Sequence, residues 1–361
     1  MTPHLVVDVT GHGYGHLSQV TPVVLALRNR VPGLRLTVRS LLRAEIVRDF
    51  LGEDCGFAPP PPDFGMAMHS PIDVDGERSA EAYAALHAAW PAVVAEEAEK
   101  LAALAPTLLL SGVGYAGLAG AARAGLPAVA LSSLNWADIY RTYCLGFPGA
   151  AAVHGQMLDA YRSARMFLQI EPHLPMTDLP NRRSVGPVAR LGTDRRAELA
   201  DALGGRPSDR FALASLGGIQ GPASMCRLPR VPGLRWLADP DLAASLPGRD
   251  DVTPVSAVPL RFLDVLRSCD LVVTKPGYGT IVEAVCNGTR VVYCERPDWP
   301  ETAGMDGWAR AKGRAMMIGR SDLAEGGYGD RLLALLDGPA PAPVEPSGVA
   351  AAAELIAGLL A

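Results

Sequence analysis

Short apolar runs alternate along the whole chain with longer segments whose apolar positions return at helical spacing. In the first half the runs at 5–9, 35–39, 107–110, 128–131 and 166–169 predict strands. The segments 17–30, 41–50, 80–104, 116–124 and 153–164 predict helices between them. Residues 54–76 carry a proline run, Pro59 to Pro62, and little periodicity, which predicts a long irregular loop of the kind that is often functional. The segment 182–194, with Gly186-Pro187 and Gly192, reads as a crossover. A second series follows, with strands expected at 210–214, 235–238, 253–256, 270–273, 291–294 and 315–318. Its helices are expected at 194–203, 260–268, 280–286, 301–312 and 328–336. Pro339 to Pro346 read as a linker, and 349–360 as a final apolar helix packed back across a neighbouring domain. Strands alternating with helices predict parallel sheets and the α/β class. The expected architecture is two doubly wound, Rossmann-like domains facing each other across a cleft, 1–188 and 189–345, with a crossover helix at 346–361. In such sheets ligands collect at the carboxyl ends of the strands.

Composition narrows this picture only a little. A chain of 361 residues with 49% hydrophobic and 20% charged residues suits two globular domains. The net charge of −5 gives no reason to expect nucleic acid as a partner. No apolar run is long enough to span a bilayer, and Met1-Thr2-Pro3-His4 lacks the charged start of a signal peptide, so a cytoplasmic location is expected. Six cysteines form no CxxC pair and are expected as buried free thiols rather than disulfides or a zinc site. Oligomeric state is not legible.

The chemistry concentrates in glycine loops. Thr274-Lys275-Pro276-Gly277-Tyr278-Gly279-Thr280 joins a predicted strand to a predicted helix. Such a loop turns backbone N–H groups toward its ligand, and the helix dipole favours an anion there. Lysine is scarce here, at 100, 275 and 312 only, and one of the three stands in this loop. Glu283 lies one turn into the helix, where a carboxylate can accept hydrogen bonds from sugar hydroxyls. A second loop, Ser215-Leu216-Gly217-Gly218-Ile219-Gln220-Gly221, is either a phosphate cradle or a tight turn. The first strand leads into Thr10-Gly11-His12-Gly13-Tyr14-Gly15-His16. This spacing is not the dinucleotide pattern, and Arg39 and Ser40 stand where that pattern has an acid, which argues against NAD. His16 opens the first helix with a reference pKa suited to proton transfer, or else braces the loop. Asp73-Val74-Asp75 has the form of a metal-diphosphate motif but reads as a helix entry, so no metal is expected.

Together with Asn135-Trp136-Ala137-Asp138-Ile139-Tyr140, these loops resemble the glycosyltransferase-like domain of plant arabinokinase and its stand-alone bacterial relatives. More distantly the chain is similar to the MurG-type N-acetylglucosaminyltransferases, through Gly217 to Gly221 and through Gly277, Thr280 and Glu283. The resemblance implies the GT-B fold and transfer of a sugar from a nucleoside diphosphate sugar, UDP-linked by preference, to a small-molecule or natural-product hydroxyl. It implies Glu283 on the ribose and Gly217, Gly218, Gln220, Lys275, Gly277, Tyr278, Gly279 and Thr280 around the diphosphate. Leu260, Arg261 and Phe262 would lie on the base side, and Asp298, Trp299 and Glu301 by the donor sugar. Gly13, Tyr14, Asn135, Trp136, Asp138 and Tyr140 would line the acceptor side, although Trp136 and Tyr140 also suit packing and Asp138 a helix cap. His16 would be the base, assisted or replaced by Asp63 or Asp75, which match acidic positions in the arabinokinase-like relatives. Backbone amides, helix dipoles and Lys275 would carry the leaving charge without a metal, and inversion at the anomeric carbon follows. No cofactor is expected beyond the nucleotide-sugar co-substrate. A nucleotide-sugar hydrolase and a noncatalytic sugar-nucleotide-binding module are the rival readings.

Overall fold

The computed structural model describes residues 2–11, 14–70, 72–216 and 226–360. The chain forms two compact units, Met1–Val188 with Pro346–Ala361, and Ala189–Glu345.

The first unit runs β1 (His4–Val9), α1 (Gly15–Arg30), β2 (Arg35–Ser40), α2 (Ala44–Leu51), β3 (Gly56–Ala58), β4 (Met68–Ser70), β5 (Asp73–Val74), α3 (Gly76–Ala88), α4 (Trp90–Leu104), β6 (Leu108–Gly112), α5 (Ala116–Arg123), β7 (Ala128–Ser132), α6 (Trp136–Cys144), α7 (Ala150–Arg162), β8 (Met166–Glu171) and β9 (Arg182–Pro187). The second unit contributes α8 (Arg196–Ala202), β10 (Arg210–Ser215), β11 (Leu234–Ala238), α9 (Pro240–Ala244), β12 (Val252–Pro254), α10 (Phe262–Ser268), β13 (Leu271–Thr274), α11 (Tyr278–Asn287), β14 (Arg290–Cys294), α12 (Thr302–Lys312), β15 (Ala315–Ile318), α13 (Arg320–Glu325) and α14 (Gly329–Asp337). Helix α15 (Ser347–Leu360) returns to the first unit.

The first unit is built on a seven-stranded sheet in the order β3-β2-β1-β6-β7-β8-β9, parallel throughout. Its central strands are buried along their whole length, as strands covered on both faces must be. Asp8 interrupts this apolar run. It sits opposite Arg39 in the β1–β2 register, and the guanidinium meets it in a two-point ion pair, Nε to Oδ1 and Nη2 to Oδ2, each 2.6 Å. Nη1 of Arg39 reaches Glu97 on α4 at 2.8 Å, and all three side chains are buried. Arg39 therefore neutralises an interior carboxylate. A Cβ at Gly117 would lie 2.1 Å from Asp8 Oδ2, so α5 approaches this triad only because residue 117 lacks a side chain.

Several elements differ from their sequence expectations. The helix expected over 80–104 is two helices, because Pro91 lacks the N–H a continuing helix needs and takes a first-turn position in α4. The crossover expected at 182–194 contains the edge strand β9, whose Arg182, Arg183 and Ser184 are exposed and so lack an apolar signature. The loop expected over 54–76 contains β3, which extends the sheet, and the β4–β5 hairpin. That segment is also tied down: Tyr83 Oη donates to Phe64 O at 2.8 Å, and the Phe64 and Tyr83 rings stack at 4.4 Å.

Helix α15 packs on α1 and β9. A Cβ on Gly348 would lie 1.9 Å from Gly186 O, and one on Gly186 would lie 2.1 Å from Ser347 Oγ. Two glycines thus allow backbone-to-backbone seating of its first turn. Its own Ala352, Ala353, Ile356 and Leu360 are buried.

The second unit holds a six-stranded sheet, β12-β11-β10-β13-β14-β15, again parallel. In each sheet the chain first builds outward on one side and then on the other. The order reverses between β1 and β6 in the first unit, and between β10 and β13 in the second. These switch points leave a crevice at the carboxyl ends of the strands, where ligands of open α/β sheets bind.

Candidate functional site

At the first switch point, Thr10 and Gly11 follow the end of β1, and α1 opens at Gly15 with His16 as its second residue. Thr10 Oγ1 and His16 Nδ1 share a hydrogen bond of 2.5 Å. The imidazole stands edge-on to the Trp136 indole, with centroids 5.6 Å apart and planes at 73°. Trp136 is the first residue of α6 and is fully buried. One ring nitrogen is thus committed to a hydroxyl and one edge to an aromatic wall.

Asp63 lies beside this pair, lining a small cavity with Thr10, Gly11, Leu41, Pro60 and Pro61. Its carboxylate accepts from the N–H groups of Tyr115 (3.0 Å) and Ala116 (2.9 Å) at the start of α5. Burial pushes its pKa up to about 7 against the lowering effect of those two bonds. Geometrically Asp63 tethers the proline loop to α5. The turn it holds is strained: Val113, just past β6, has φ of +73°, which a β-branched residue rarely adopts. Tyr161 Oη clamps the Val113 carbonyl at 2.5 Å.

Asp75 closes the first turn of α3, its Oδ1 accepting from Arg78 N at 3.0 Å, while Oδ2 stands 3.5 Å from His69 Nδ1. Asn135 and Asp138 cap α6 together. Asn135 Oδ1 accepts from Asp138 N at 2.7 Å, and Asn135 Nδ2 donates to Asp138 Oδ2 at 2.9 Å. Tyr140 packs edge-on against Tyr83 at 5.1 Å, and burial pushes its phenol up to about 12. Asn135, Trp136, Asp138 and Tyr140, all expected on the acceptor side, are buried, and Trp136 among them stands against His16. The helix cap is Asn135, with Asp138 as its partner. Tyr14 is exposed, and Gly13 lies outside the described residues.

At the second switch point, β13 ends in Thr274 and Lys275 follows, half-buried. Burial and the nearby Arg296 push its ammonium down to about 8. Arg296 follows the neighbouring strand β14 and stacks over the Trp299 ring at 4.0 Å. Helix α11 begins at Tyr278, with Gly277 as its cap residue and no side-chain cap on its first turn. The space a Gly277 side chain would fill is open. Gly279 and Thr280 are half-buried in that turn. Two cations and an uncapped helix start at the carboxyl ends of adjacent strands are the electrostatics of an anion site.

Glu283, on α11, is buried and paired with Arg190, Nε to Oε1 at 2.7 Å. Burial raises its pKa and Arg190 opposes that rise. Glu301 is buried and accepts from Trp299 Nε1 at 2.9 Å, whereas Asp298 is exposed. Arg261 caps α10 from an exposed position, with Nε 3.1 Å from Asp264, and Phe262 beside it is half-buried. Gly217, Gly218 and Gln220 lie outside the described residues. Among the described residues no group of three or more His, Cys, Asp or Glu side chains is placed to hold a metal, and no helix is long and apolar enough to cross a membrane.

No family profile and no curated protein matches the chain. Among solved structures it is similar to the glycotransferase of kitacinnamycin over all of both chains, at 17% identity and a TM-score of 0.58. It is also similar to the calicheamicin glycosyltransferase CalG4, at 16% identity and a TM-score of 0.62 over 99% of this chain and 94% of that one. A third is UGT89C1 of Arabidopsis thaliana complexed with UDP, at 14% identity and a TM-score of 0.60 over 99% of each chain. The chain has the GT-B fold.

On this GT-B frame, four residues with a part in the site carry no role in the sequence reading: Thr10, Val113, Arg190 and Arg296. Thr10 stands in the quoted loop, but nothing local says that its hydroxyl turns to a histidine six positions on. Arg190 and Glu283 are 93 positions apart, and Arg296 nears Lys275 only because β13 and β14 are neighbours in the sheet.

Proposed function

We propose that this protein is a glycosyltransferase that moves a sugar from a nucleoside diphosphate sugar to a hydroxyl of a small-molecule or natural-product acceptor. The single observation that carries the reading is the anion site of the second unit, Lys275 and Arg296 beside the uncapped start of α11 at the switch point. Breaking the anomeric C–O bond puts negative charge on the leaving diphosphate, and prearranged N–H groups and cations stabilise it where it develops. With that charge met by protein groups, the chemistry needs no metal. Glu283 binds the ribose, the backbone around Leu260, Arg261 and Phe262 meets the base, and Asp298 and Glu301 border the donor sugar.

In the first unit His16 is the base. With Nδ1–H donating to Thr10 Oγ1, Nε2 carries the lone pair that takes the acceptor proton. Displacement by the acceptor oxygen on the face opposite the leaving diphosphate inverts the anomeric carbon. Asp63 and Asp75 are already engaged with backbone N–H groups, which favours His16 over either. The order of the glycine, histidine, lysine and glutamate motifs supports kinship with the arabinokinase-associated domain and, further off, the MurG-type enzymes. UDP is the favoured carrier among the nucleoside diphosphates that similar structures hold, UDP in one and thymidine diphosphate in two others.

The test is a thermal-shift panel of UDP, GDP, thymidine diphosphate and their sugars, followed by incubation of the binding donor with hydroxylated acceptors. A ligand at a hundred times its Kd stabilises the fold by about 2.7 kcal/mol. Protection by UDP with glycoside formed supports the reading. Free sugar released without acceptor points to a hydrolase, and protection with neither product points to a binding module.

A further inference from the structure

Glu283 presents a physical problem that the ribose reading leaves open. A carboxylate that receives hydroxyl protons must be ionised, yet this one is buried on α11. Burial alone disfavours the charge. The structure supplies a counter-charge from the segment just after the boundary between the units. Arg190 donates through Nε to Oε1 of Glu283 at 2.7 Å.

That segment is fastened to the second unit at every step. Asn287, one helical turn beyond Glu283, donates through Nδ2 to Arg190 O at 3.1 Å and accepts from Gly192 N through Oδ1 at 2.9 Å. Asp264 accepts from Thr193 N at 2.8 Å, and Ser268 Oγ from Arg195 N at 2.8 Å. A Cβ at Gly192 would lie 2.0 Å from Leu263 O, so the strand of linker lies flat on α10. Arg190 is therefore held at a fixed height over α11. Its Nε donates to Oε1 of the carboxylate.

We infer that Arg190 is a positioning residue for nucleotide binding: it keeps Glu283 ionised and oriented so that the carboxylate can receive the ribose hydroxyls. The inference rests on the proposed ribose role of Glu283. The other charged and titratable groups around α11 do not substitute for Arg190. Asp264 of α10 faces Thr193 and Arg261, and Arg267 is on the same helix. Arg290 of β14 donates to the carbonyls of Asp270 and Gly338, and Tyr293 donates to Asp306. Arg310 of α12 pairs with Asp306, and Lys312 ends that helix. Cys286 on α11 itself stays a neutral thiol, pushed up to about 12 by burial. Strand β13 carries no titratable group.

The experiment is calorimetric titration of the full-length protein with UDP and with 2′,3′-dideoxy-UDP at pH 6 and pH 8.5. The ratio of the two affinities isolates the ribose hydroxyls and cancels any effect of pH on the diphosphate. Wild type should prefer UDP by roughly tenfold at both values, the scale of a hydrogen bond to a charged group. Arg190→Ala and Arg190→Gln should show a smaller preference at pH 6 than at pH 8.5, because burial without the opposing charge of Arg190 raises the Glu283 pKa further. Arg190→Lys should keep it at both. Arg190→Gln retains an N–H donor and much of the volume, so it reports if the alanine variant does not fold. Loss of affinity for both ligands alike, at both pH values, would make Arg190 a packing residue and overturn the inference. Retention of the preference in the Arg190 variants, with its loss in Glu283→Gln, would overturn it while sparing the ribose reading. An unchanged preference in Glu283→Gln would remove the ribose reading itself.

Discussion

His16 is braced by a hydroxyl where many catalytic histidines are braced by a carboxylate. In the proposed role of His16 as base, Thr10 Oγ1 sets the tautomer of the ring but contributes no charge to the imidazolium. His16→Ala is therefore expected to lower kcat by roughly a hundred- to ten-thousand-fold with UDP affinity unchanged. Thr10→Val, which removes only the brace, should cost roughly tenfold to a hundredfold in kcat. Steady-state rates with titrated nucleotide affinity check both, and equal UDP weakening in either variant would place the pair in folding instead. Lys275 makes a second prediction. Its ammonium is held down to about 8 by burial and Arg296, so it is charged at neutral pH and loses its proton just above. Affinity for UDP should fall as pH rises from 7 to 9. Lys275→Met should bind about tenfold more weakly at pH 7 and show a flatter profile, by calorimetry across that range.

Among the elements, helix α5 is the most constrained. Its N-terminus is held by Asp63 and its body rests on the Asp8–Arg39–Glu97 triad, which it can approach only at Gly117. Gly117→Ala should destabilise the protein by about 3 kcal/mol, because the new Cβ must displace a buried, fully paired carboxylate. Chemical denaturation followed by circular dichroism measures this, and a loss under 1 kcal/mol would mean that α5 shifts at little cost. The strands of this protein were legible because most are buried on both faces and spell continuous apolar runs. Strand β9 was not, since its exposed arginines and its Gly186-Pro187 pair look like connecting chain. Helix α6 was not either, because its polar first turn, Asn135 to Asp138, is bonded to itself instead of facing solvent. The resemblance set these residues on the acceptor side, and in the structure Asn135 and Asp138 bond to each other.

At the scale of the molecule, α15 belongs to the first unit although it ends the chain. Ending the chain at Glu345 should strip the cover from α1 and β9 and destabilise the first unit by on the order of 5 kcal/mol. Calorimetry should then show an earlier transition that UDP does not shift, followed by one that it does. A single transition at the wild-type temperature would contradict the division. The alternating pattern of the chain determined two α/β halves with parallel sheets, and glycine loops at strand ends marked where ligands could meet the backbone. Periodicity and loop chemistry are local, so a single sequence carries them openly. Which charge answers which was decided only by the tertiary structure. Arg39 finds Glu97, Arg190 finds Glu283 and Asp63 finds the start of α5 across separations of tens of residues. Burial then sets whether a carboxylate is a ligand, a cap or a tether, because removal from water makes a partner obligatory and no pattern along the chain names the partner.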